Sequence, residues 1–233
     1  MLDRLLLSLH EQIPLNIYKI IRIQLDNIKI FPYIIPQTAI LELPQDQYHA
    51  LSTISTYMGQ NDGIKWPYYF ITDSAGTEKS YTVNLIINIL NQRNSNYLLL
   101  ASIGIAAQNI GGKTIHSTLH LIPTQEFFYT QIFTDKNLYN YLKKIDTLIL
   151  NKTSMVSAEL LDFISETFAR IHNNAIPFGG INVILVGDLV QLPPITGQTV
   201  FHATVWKLFY LLFLEIPQRQ HTDNIFYQML QEI

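Results

Sequence analysis

The sequence predicts an α/β fold in which a mostly parallel sheet is covered by helices on both faces. From residue 44 onward, short apolar runs alternate with segments of helical spacing, and this alternation is typical of β-α-β units. The composition is that of a folded chain, because 48% of the 233 residues are hydrophobic and only 14% are charged. Intrinsic disorder is therefore excluded.

The composition also excludes several other classes of protein. The chain has no cysteine, which rules out a disulfide scaffold and a thiolate metal cluster. No apolar run approaches the roughly 18 residues of a membrane span, and Asp3 is atypical of a secretory leader. We therefore expect an intracellular protein with no membrane partner. The net charge of -3 means that any contact with nucleic-acid phosphates must come from a local basic patch.

Proline residues divide the chain into two parts. Residues 1–43 are predicted to form an N-terminal accessory segment, in which the alternation over residues 21–30 indicates a small hairpin. After this hairpin, Pro32, Pro36 and Pro44 mark an extended connector that leads into the second part. Residues 44–233 are predicted to form the α/β domain.

Four strands and two helices are predicted within this domain. The strands are the apolar runs Tyr68–Thr72, Tyr97–Ala101, Thr147–Leu150 and Asn182–Val186. Helical spacing of apolar residues is found over Asn84–Leu90 and Ser157–Ile171. One face of the second helix is assigned to the core, and it carries Leu160, Leu161, Ile164 and Phe168.

The segment after the first predicted strand resembles part of a phosphate-binding loop. Residues 73–80 read DSAGTEKS, so Lys79 and Ser80 match the end of the pattern G-x-x-x-x-G-K-[ST]. Asp73 and Glu78 replace its two glycines, and Gly76 is the one glycine left inside the loop. By itself this match is weak, since a Lys-Ser pair after a strand also arises by chance.

Four further segments follow this loop in order. They are GIAAQNIGGKTIHS at 104–117, TSMVSAELLDFI at 153–164, GGINVILVGDLVQLPP at 179–194, and QRQ at 218–220. Together the five motifs resemble the petite-integration-frequency (PIF) family of superfamily-one DNA helicases, over roughly residues 43–233. The resemblance implies a RecA-like P-loop motor domain and an ATP-dependent 5′-to-3′ DNA helicase that uses ATP and Mg²⁺.

The resemblance assigns nucleotide-binding roles to individual residues. Gln47 would read the adenine edge, and Gly76 and Thr77 would lie in the loop around the phosphates. Lys79 would contact the β- and γ-phosphates, and Ser80 would hold Mg²⁺.

The resemblance also implies catalytic and DNA-binding residues. Gln191 would sense the γ-phosphate, and Arg219 would stabilise charge on the transferring phosphoryl group. Single-stranded DNA is the implied partner, and its phosphates would be held by Gly104, Thr114, His116 and Ser117. For His116, a capping or buried histidine is the alternative interpretation.

One departure from the family pattern affects catalysis directly. The resemblance implies an Asp-Glu pair before TSMVS, the Asp to organise Mg²⁺ and the Glu to position the attacking water. This chain has Asn151 and Lys152 there. An amide is a poor ligand for a hard dication, and a charged lysine cannot accept a proton. We expect Asn151 to be a degenerate metal ligand and this copy to be a weak or inactive ATPase, whose binding of ATP is itself doubtful.

The loop acids suggest a hypothesis about charge in this site. Asp73 and Glu78 bring negative charge to the place where phosphates would bind. Lys152, with Lys79, is then expected to pair with one of these acids, so that the site neutralises itself in place of ATP and Mg²⁺.

The expected activity has alternatives. The chain ends at Ile233, just past QRQ, so we expect the second motor domain to be absent or supplied by a second chain. A non-catalytic single-stranded-DNA-binding or interaction module, derived from such a helicase, is the main alternative. A gene relic and a nucleotide-binding protein outside the helicases are further ones. The resemblance also implies a nuclear or mitochondrial location.

Overall fold

The computed structural model describes residues 43–58, 68–73, 79–123, 128–188 and 190–216. Its helices are α1 (Gln45–Tyr57), α2 (Lys79–Gln92), α3 (Gly104–Asn109), α4 (Ile115–Thr118), α5 (Lys136–Leu142) and α6 (Ala158–His172). Short 3-10 helices lie at Thr153–Met155, Pro177–Gly180, Val200–His202 and Trp206–Leu208. Its strands are β1 (Tyr68–Asp73), β2 (Tyr97–Ala101), β3 (Lys113–Thr114), β4 (Leu121–Pro123), β5 (Phe128–Thr130), β6 (Thr147–Asn151), β7 (Asn182–Val186) and β8 (Tyr210–Leu214).

Six of these strands form one sheet, in the order β3-β2-β6-β7-β1-β8. Every neighbouring pair in this sheet is parallel. β4 and β5 form a separate antiparallel pair. The predicted α/β class with a mostly parallel sheet is therefore confirmed, and the four predicted strands lie within one residue of their predicted bounds. The predicted hairpin at 21–30 lies outside the described residues.

The strands are apolar because both faces of the sheet are covered. Successive residues of β6 show this, since Leu148 and Leu150 belong to one buried cluster whereas Ile149 belongs to the other. Side chains alternate between the two faces of a strand, so a strand buried on both faces is apolar at most of its positions. Burying one such side chain contributes about 1.5 to 3 kcal/mol.

Helix α6 covers one face of the sheet, and its ends follow from the local sequence. The Ser157 hydroxyl accepts the backbone N–H of Leu160 at 3.2 Å, which satisfies one of the N-terminal donors that a helix leaves without a backbone partner. The helix ends at Asn173, whose φ of 51° is left-handed. The four residues predicted for its apolar face are all buried. No helix within the described ranges is long and apolar enough to cross a membrane.

The imidazole of His172 lies half-buried at the end of α6, stacked on the Phe168 ring at 6.3 Å between centroids. Its Nε2 is buried and has no hydrogen-bond partner among the described residues. Burial lowers the pKa of His172 and the charge of Lys143 lowers it further, against an opposing hydrogen bond to the Leu142 backbone. The fold therefore favours the neutral imidazole.

We predict that His172 makes the domain less stable in acid. The unfolded chain takes up this proton near the ordinary histidine pKa of about 6.5, whereas the folded chain takes it up only at lower pH. The stabilisation is complete above about pH 6.5 and is lost as the pH falls towards the lowered folded pKa. His172→Phe keeps a ring against Phe168, so it should flatten the decline in the free energy of unfolding, measured by urea denaturation across this range.

His49→Phe is the matched control, because His49 is exposed on α1. It should leave the acid dependence as in the parent chain. Equal slopes for His172→Phe and the parent would contradict the assignment.

Candidate functional site

The predicted site residues collect where the parallel strands end. Asn151 is the last residue of β6 and Lys152 follows it, while Asp188 and Gln191 follow β7. Lys79 begins α2, the helix after β1. In open α/β sheets, ligands bind outside the carboxyl ends of the strands, so these residues share the edge of the sheet where a ligand is expected.

A tight turn at the end of β6 sets the direction of the Lys152 side chain. Lys152 has a φ of 56°, in the left-handed region, which costs a residue with a Cβ about 1 to 2 kcal/mol. Polar contacts of Asn151, Ser102 and Thr153 hold the turn in this conformation. The Asn151 Oδ1 accepts the Lys152 N–H at 2.9 Å, and the Ser102 hydroxyl donates to the Lys152 carbonyl at 2.9 Å. The buried Thr153 hydroxyl lies 3.1 Å and 3.0 Å from main-chain carbonyl oxygens of β6 and β7.

The turn places Lys152 in a hydrogen-bonded chain with two residues that follow β7. The Lys152 Nζ donates to the Gln191 Oε1, and the Gln191 Nε2 donates to the Asp188 Oδ2 at 3.0 Å. Asp188 is only 7% exposed, and its Oδ1 accepts the Val190 N–H at 3.0 Å. The Gln191 amide is therefore fixed with its oxygen towards an ammonium and its nitrogen towards a carboxylate.

Gly187 allows the two strand ends to come this close. A Cβ at this position would lie 3.0 Å from the Thr153 nitrogen and 3.2 Å from the Ser154 nitrogen. Those distances are shorter than side-chain carbons normally tolerate, so a larger residue would push apart the turns that carry Lys152 and Asp188.

The residues at this edge do not fit a Mg²⁺ ion. Mg²⁺ prefers charged oxygen ligands in octahedral geometry. The Asn151 oxygen is neutral and already accepts a backbone N–H, and Ser80 is exposed at the second position of α2. The next residue after Asn151 is a cation, and the described part of the chain contains no group of three or more His, Asp or Glu side chains that could hold a metal.

Part of the predicted phosphate loop is not described. Gly76, Thr77 and Glu78 lie outside the described residues, as does the side chain of Asp73. The hypothesis that Lys152 pairs with a loop acid thus stays a prediction, and the partner that the structure gives Lys152 is Gln191. β7 lies between β1 and β6 in the sheet, so the loop after β1 and the end of β6 are not on adjacent strands.

Helix α1 places the residue predicted to read adenine. Gln47 is buried in the first turn of α1, with 1% of its surface exposed. The neighbouring Asp46 Oδ1 accepts the Gln47 N–H at 2.7 Å. The Oδ2 of Asp46 accepts the N–H groups of Glu215 and Ile216 at 2.7 Å and 2.8 Å. Asp46 thus joins α1 to the segment just after β8. Arg219, the predicted charge-stabilising residue further along the chain, lies outside the described residues.

The predicted DNA-contacting residues lie around β3, at the opposite edge of the sheet from β8. Gly104 begins α3, and a Cβ there would meet no atom within 4 Å, so its backbone is open to close approach. The Thr114 oxygen caps α4 by accepting the Ser117 N–H at 3.3 Å. His116 and Ser117 are exposed, as is Lys113 on β3. The interpretation of His116 as a buried histidine is therefore wrong.

Comparison with known proteins decides the family. Residues 42–233 match the family model described as PIF1-like helicase. The chain belongs to the PIF1-like helicase family. The ATP-dependent DNA helicase Pif1 of Bdellovibrio bacteriovorus is 31% identical over 202 residues, which cover 83% of this chain and 43% of that protein. The ATP-dependent DNA helicase PIF1 of Saccharomyces cerevisiae is 33% identical over 177 residues, which cover 70% of this chain and 21% of that protein.

Solved structures agree with this membership. The Pif1 helicase of Candida albicans matches with a TM-score of 0.71 and 28% identity, over 82% of this chain and 43% of that one. A Bacteroides Pif1 helicase in complex with ADP-AlF3 and single-stranded DNA matches with a TM-score of 0.67 and 26% identity, over 81% and 46%. The RecA-like fold is thus confirmed. The chain spans less than half the length of these relatives.

Two carboxylates of this PIF1-like domain have contacts that sequence reasoning missed. Asp188 fixes the Gln191 amide, and its position directly after a strand and three residues before Gln191 is a signal that could have found it. Asp46 contacts residues 169 and 170 positions away, and no local pattern indicates that contact.

We predict that Asp46→Asn loosens the junction between α1 and the end of β8. The neutral amide removes the charge from two hydrogen bonds, and charge-assisted bonds are roughly twice as strong as neutral ones. The free energy of unfolding should fall by about 1 to 2 kcal/mol. In hydrogen exchange, the amides of Glu215 and Ile216 should lose protection while those of α6 keep theirs.

Glu166→Gln provides the control for Asp46→Asn, because Glu166 is exposed on α6. It should change neither stability nor exchange at Glu215. Unchanged protection of both amides in Asp46→Asn would show that the carboxylate does not hold this junction.

Proposed function

We propose that this chain carries the first RecA-like motor domain of a PIF1-like helicase, and that this domain binds single-stranded DNA but hydrolyses ATP weakly or not at all. The observation that carries the proposal is the position of Lys152. Lys152 directly follows the last residue of β6, where the family resemblance implies a glutamate base, and its ammonium donates to Gln191.

The proposal about hydrolysis follows from the chemistry of these side chains. An ammonium has three donors and no acceptor, so Lys152 cannot take a proton from an attacking water. A positioned general base contributes about 10² to 10⁴-fold to such a reaction. The Gln191 amide, the predicted sensor of the γ-phosphate, is held between Lys152 and Asp188 and would have to leave at least one of them to turn towards a nucleotide.

Nucleotide is supported as a ligand class by the relatives. They are named ATP-dependent helicases, and one was solved with ADP-AlF3. In this chain Gln47 would contact adenine, and Lys79 and Ser80 would contact the phosphates from the start of α2. The two acids of the loop would weaken binding, because a carboxylate about 5 Å from one phosphate charge costs about 3 kcal/mol at an effective dielectric of about 20.

Single-stranded DNA is supported as the partner by the surface around β3. Exposed groups from α3, β3 and α4 lie together there, and a Bacteroides Pif1 relative was solved bound to single-stranded DNA. Hydroxyls, imidazoles and open backbone amides are groups that hold phosphates without reading bases. Because the chain has a net charge of -3, contacts with DNA phosphates need a local positive charge. Lys113 supplies one at this surface.

A non-catalytic DNA-binding or interaction module is the second candidate, and the same Asn151-Lys152 pair favours it. The two candidates differ in whether any ATP turnover remains. Three expectations stay predictions. They are the division of the chain at residue 43, a second chain that supplies another motor domain, and a nuclear or mitochondrial location.

We predict that residues 1–233 bind a single-stranded oligonucleotide without releasing phosphate from ATP above background. Anisotropy of a labelled oligothymidine would report DNA binding, and a coupled assay would report phosphate release with and without DNA. The background is set by Lys79→Ala, which removes the predicted phosphate-contacting cation. Turnover on the order of 1 s⁻¹, an ordinary rate for enzymatic phosphoryl transfer, would contradict the proposal.

DNA binding is tested separately by His116→Ala combined with Ser117→Ala. This pair should weaken oligothymidine binding, whereas His49→Ala on α1 should not. Equal affinity for the parent and the double variant would remove this surface as the DNA site.

A further inference from the structure

Two isoleucines flank Gly104, and both are exposed to water. Ile103 is 37% exposed and Ile105 is 72% exposed, whereas the next two residues, Ala106 and Ala107, are buried. Helix α3 therefore already has an apolar side in the core, and Ile105 is not on it. Single exposed isoleucines are common at protein surfaces, so the surroundings of Ile105 decide whether it has a ligand.

Ile105 lies on a segment that runs beside the predicted DNA-contacting residues. β2 and β3 are parallel neighbours in which Ala101 lies opposite Thr114. The segments that follow, 102–105 after β2 and 115–117 after β3, therefore leave the same edge of the sheet side by side, and α3 and α4 both contact the two strands. The first segment carries Ile105, and the second carries two of the predicted DNA-contacting side chains.

The exposed side of α3 is suited to bases rather than to phosphates. Ile105, Gln108 and Asn109 are all exposed, and their spacing of three and four residues places them on one side of the helix. The helix has no charged residue, so this side offers phosphates no positive charge. An aliphatic side chain can instead contact the flat face of a base, and amides can hydrogen-bond to base edges.

Single-stranded DNA is the occupant that fits both kinds of surface. It presents phosphates and unpaired bases along the same strand, and proteins that bind it combine contacts to both. The groups around β3 would take the phosphates, and the adjacent side of α3 would take the bases. A Bacteroides Pif1 relative that was solved bound to single-stranded DNA supports this ligand class.

We propose that Ile105, with Gln108 and Asn109, contacts the bases of a single DNA strand whose phosphates lie along the groups around β3. This inference rests on the proposed DNA surface and specifies which part of the strand α3 takes. Ile105 packs against a base face, and the two amides hydrogen-bond to base edges. DNA binding by this domain therefore depends on bases as well as on charge.

The first test compares two strands that differ only in their bases. Fluorescence anisotropy on the full chain would measure binding of oligothymidine and of an abasic strand of the same length, which keeps the sugars and the phosphates. We expect the parent chain to bind oligothymidine more tightly, because the abasic strand has no base for Ile105. This comparison needs no variant, so it does not depend on whether a substitution folds.

Substitution of Ile105 identifies the responsible side chain. Ile105→Ser should weaken oligothymidine binding about fivefold, near the lower end for loss of a base stacked on a side chain, and should leave binding of the abasic strand unchanged. Ile105→Leu keeps the apolar volume, so it should bind both strands as the parent does. Ile195→Ser is the matched control, since Ile195 is 94% exposed in the segment after β7, and β7 is separated from β3 by two strands.

Three results would overturn the inference. They are equal affinity of the parent for both strands, oligothymidine binding by Ile105→Ser as tight as that of the parent, and an equal loss of both strands in Ile105→Ser, which would assign the side chain to folding or to phosphate binding. A failure of the proposed function looks different, because the parent would then bind neither strand, and this inference would fall with the DNA surface.

Discussion

The hydrogen bond from the Lys152 ammonium to the Gln191 amide joins the ends of two neighbouring strands, β6 and β7. It forms because Lys152 adopts a left-handed conformation, because Asn151 and Ser102 hold that conformation, and because Gly187 lets the two turns approach. The buried carboxylate of Asp188 then fixes the other side of the amide. A cation therefore stands at the end of β6, where the family resemblance implies an anion.

The fold does not depend on the site residues at the strand ends. The sheet is held by alternating apolar side chains of β1, β2, β6 and β7 in two buried clusters, and none of the site residues belongs to either cluster. Asn151 and Lys152 are only half-buried, so charge can change there at little cost to folding. This separation explains how the residues at the strand ends can vary while the architecture stays the same.

Sequence reasoning predicted the buried parts of the domain well. The four central strands and α6 were found because they are long apolar runs or regular amphipathic patterns, and Ser157 marked the helix start. Helix α1 was missed because its polar and apolar residues are mixed in the turn that carries Asp46 and Gln47. The edge strand β8 was missed because Tyr210, Leu211 and Phe213 are apolar yet exposed, so no alternation of polar and apolar residues marks it.

The sequence predicted which residues lie at the site better than it predicted the contacts between them. Lys152 and Gln191 were each singled out from the motifs, but they are 39 positions apart, and only the register of β6 beside β7 brings them together. The expected partner of Lys152 was a loop acid, because unlike charges attract. That pairing stays a prediction, because the loop acids lie outside the described side chains. The structure gives Lys152 the amide of Gln191 as a partner, since β7, which Gln191 follows, is the direct neighbour of β6.

A double-mutant cycle between Lys152 and Gln191 tests this contact most directly. The parent, Lys152→Met, Gln191→Leu and the double variant would be unfolded in urea without nucleotide, and the coupling would be taken from their free energies of unfolding. The contact predicts that the two substitutions are not additive, with a coupling of about 1 kcal/mol. Additivity within about 0.3 to 0.5 kcal/mol, the level expected of independent sites, would contradict the account.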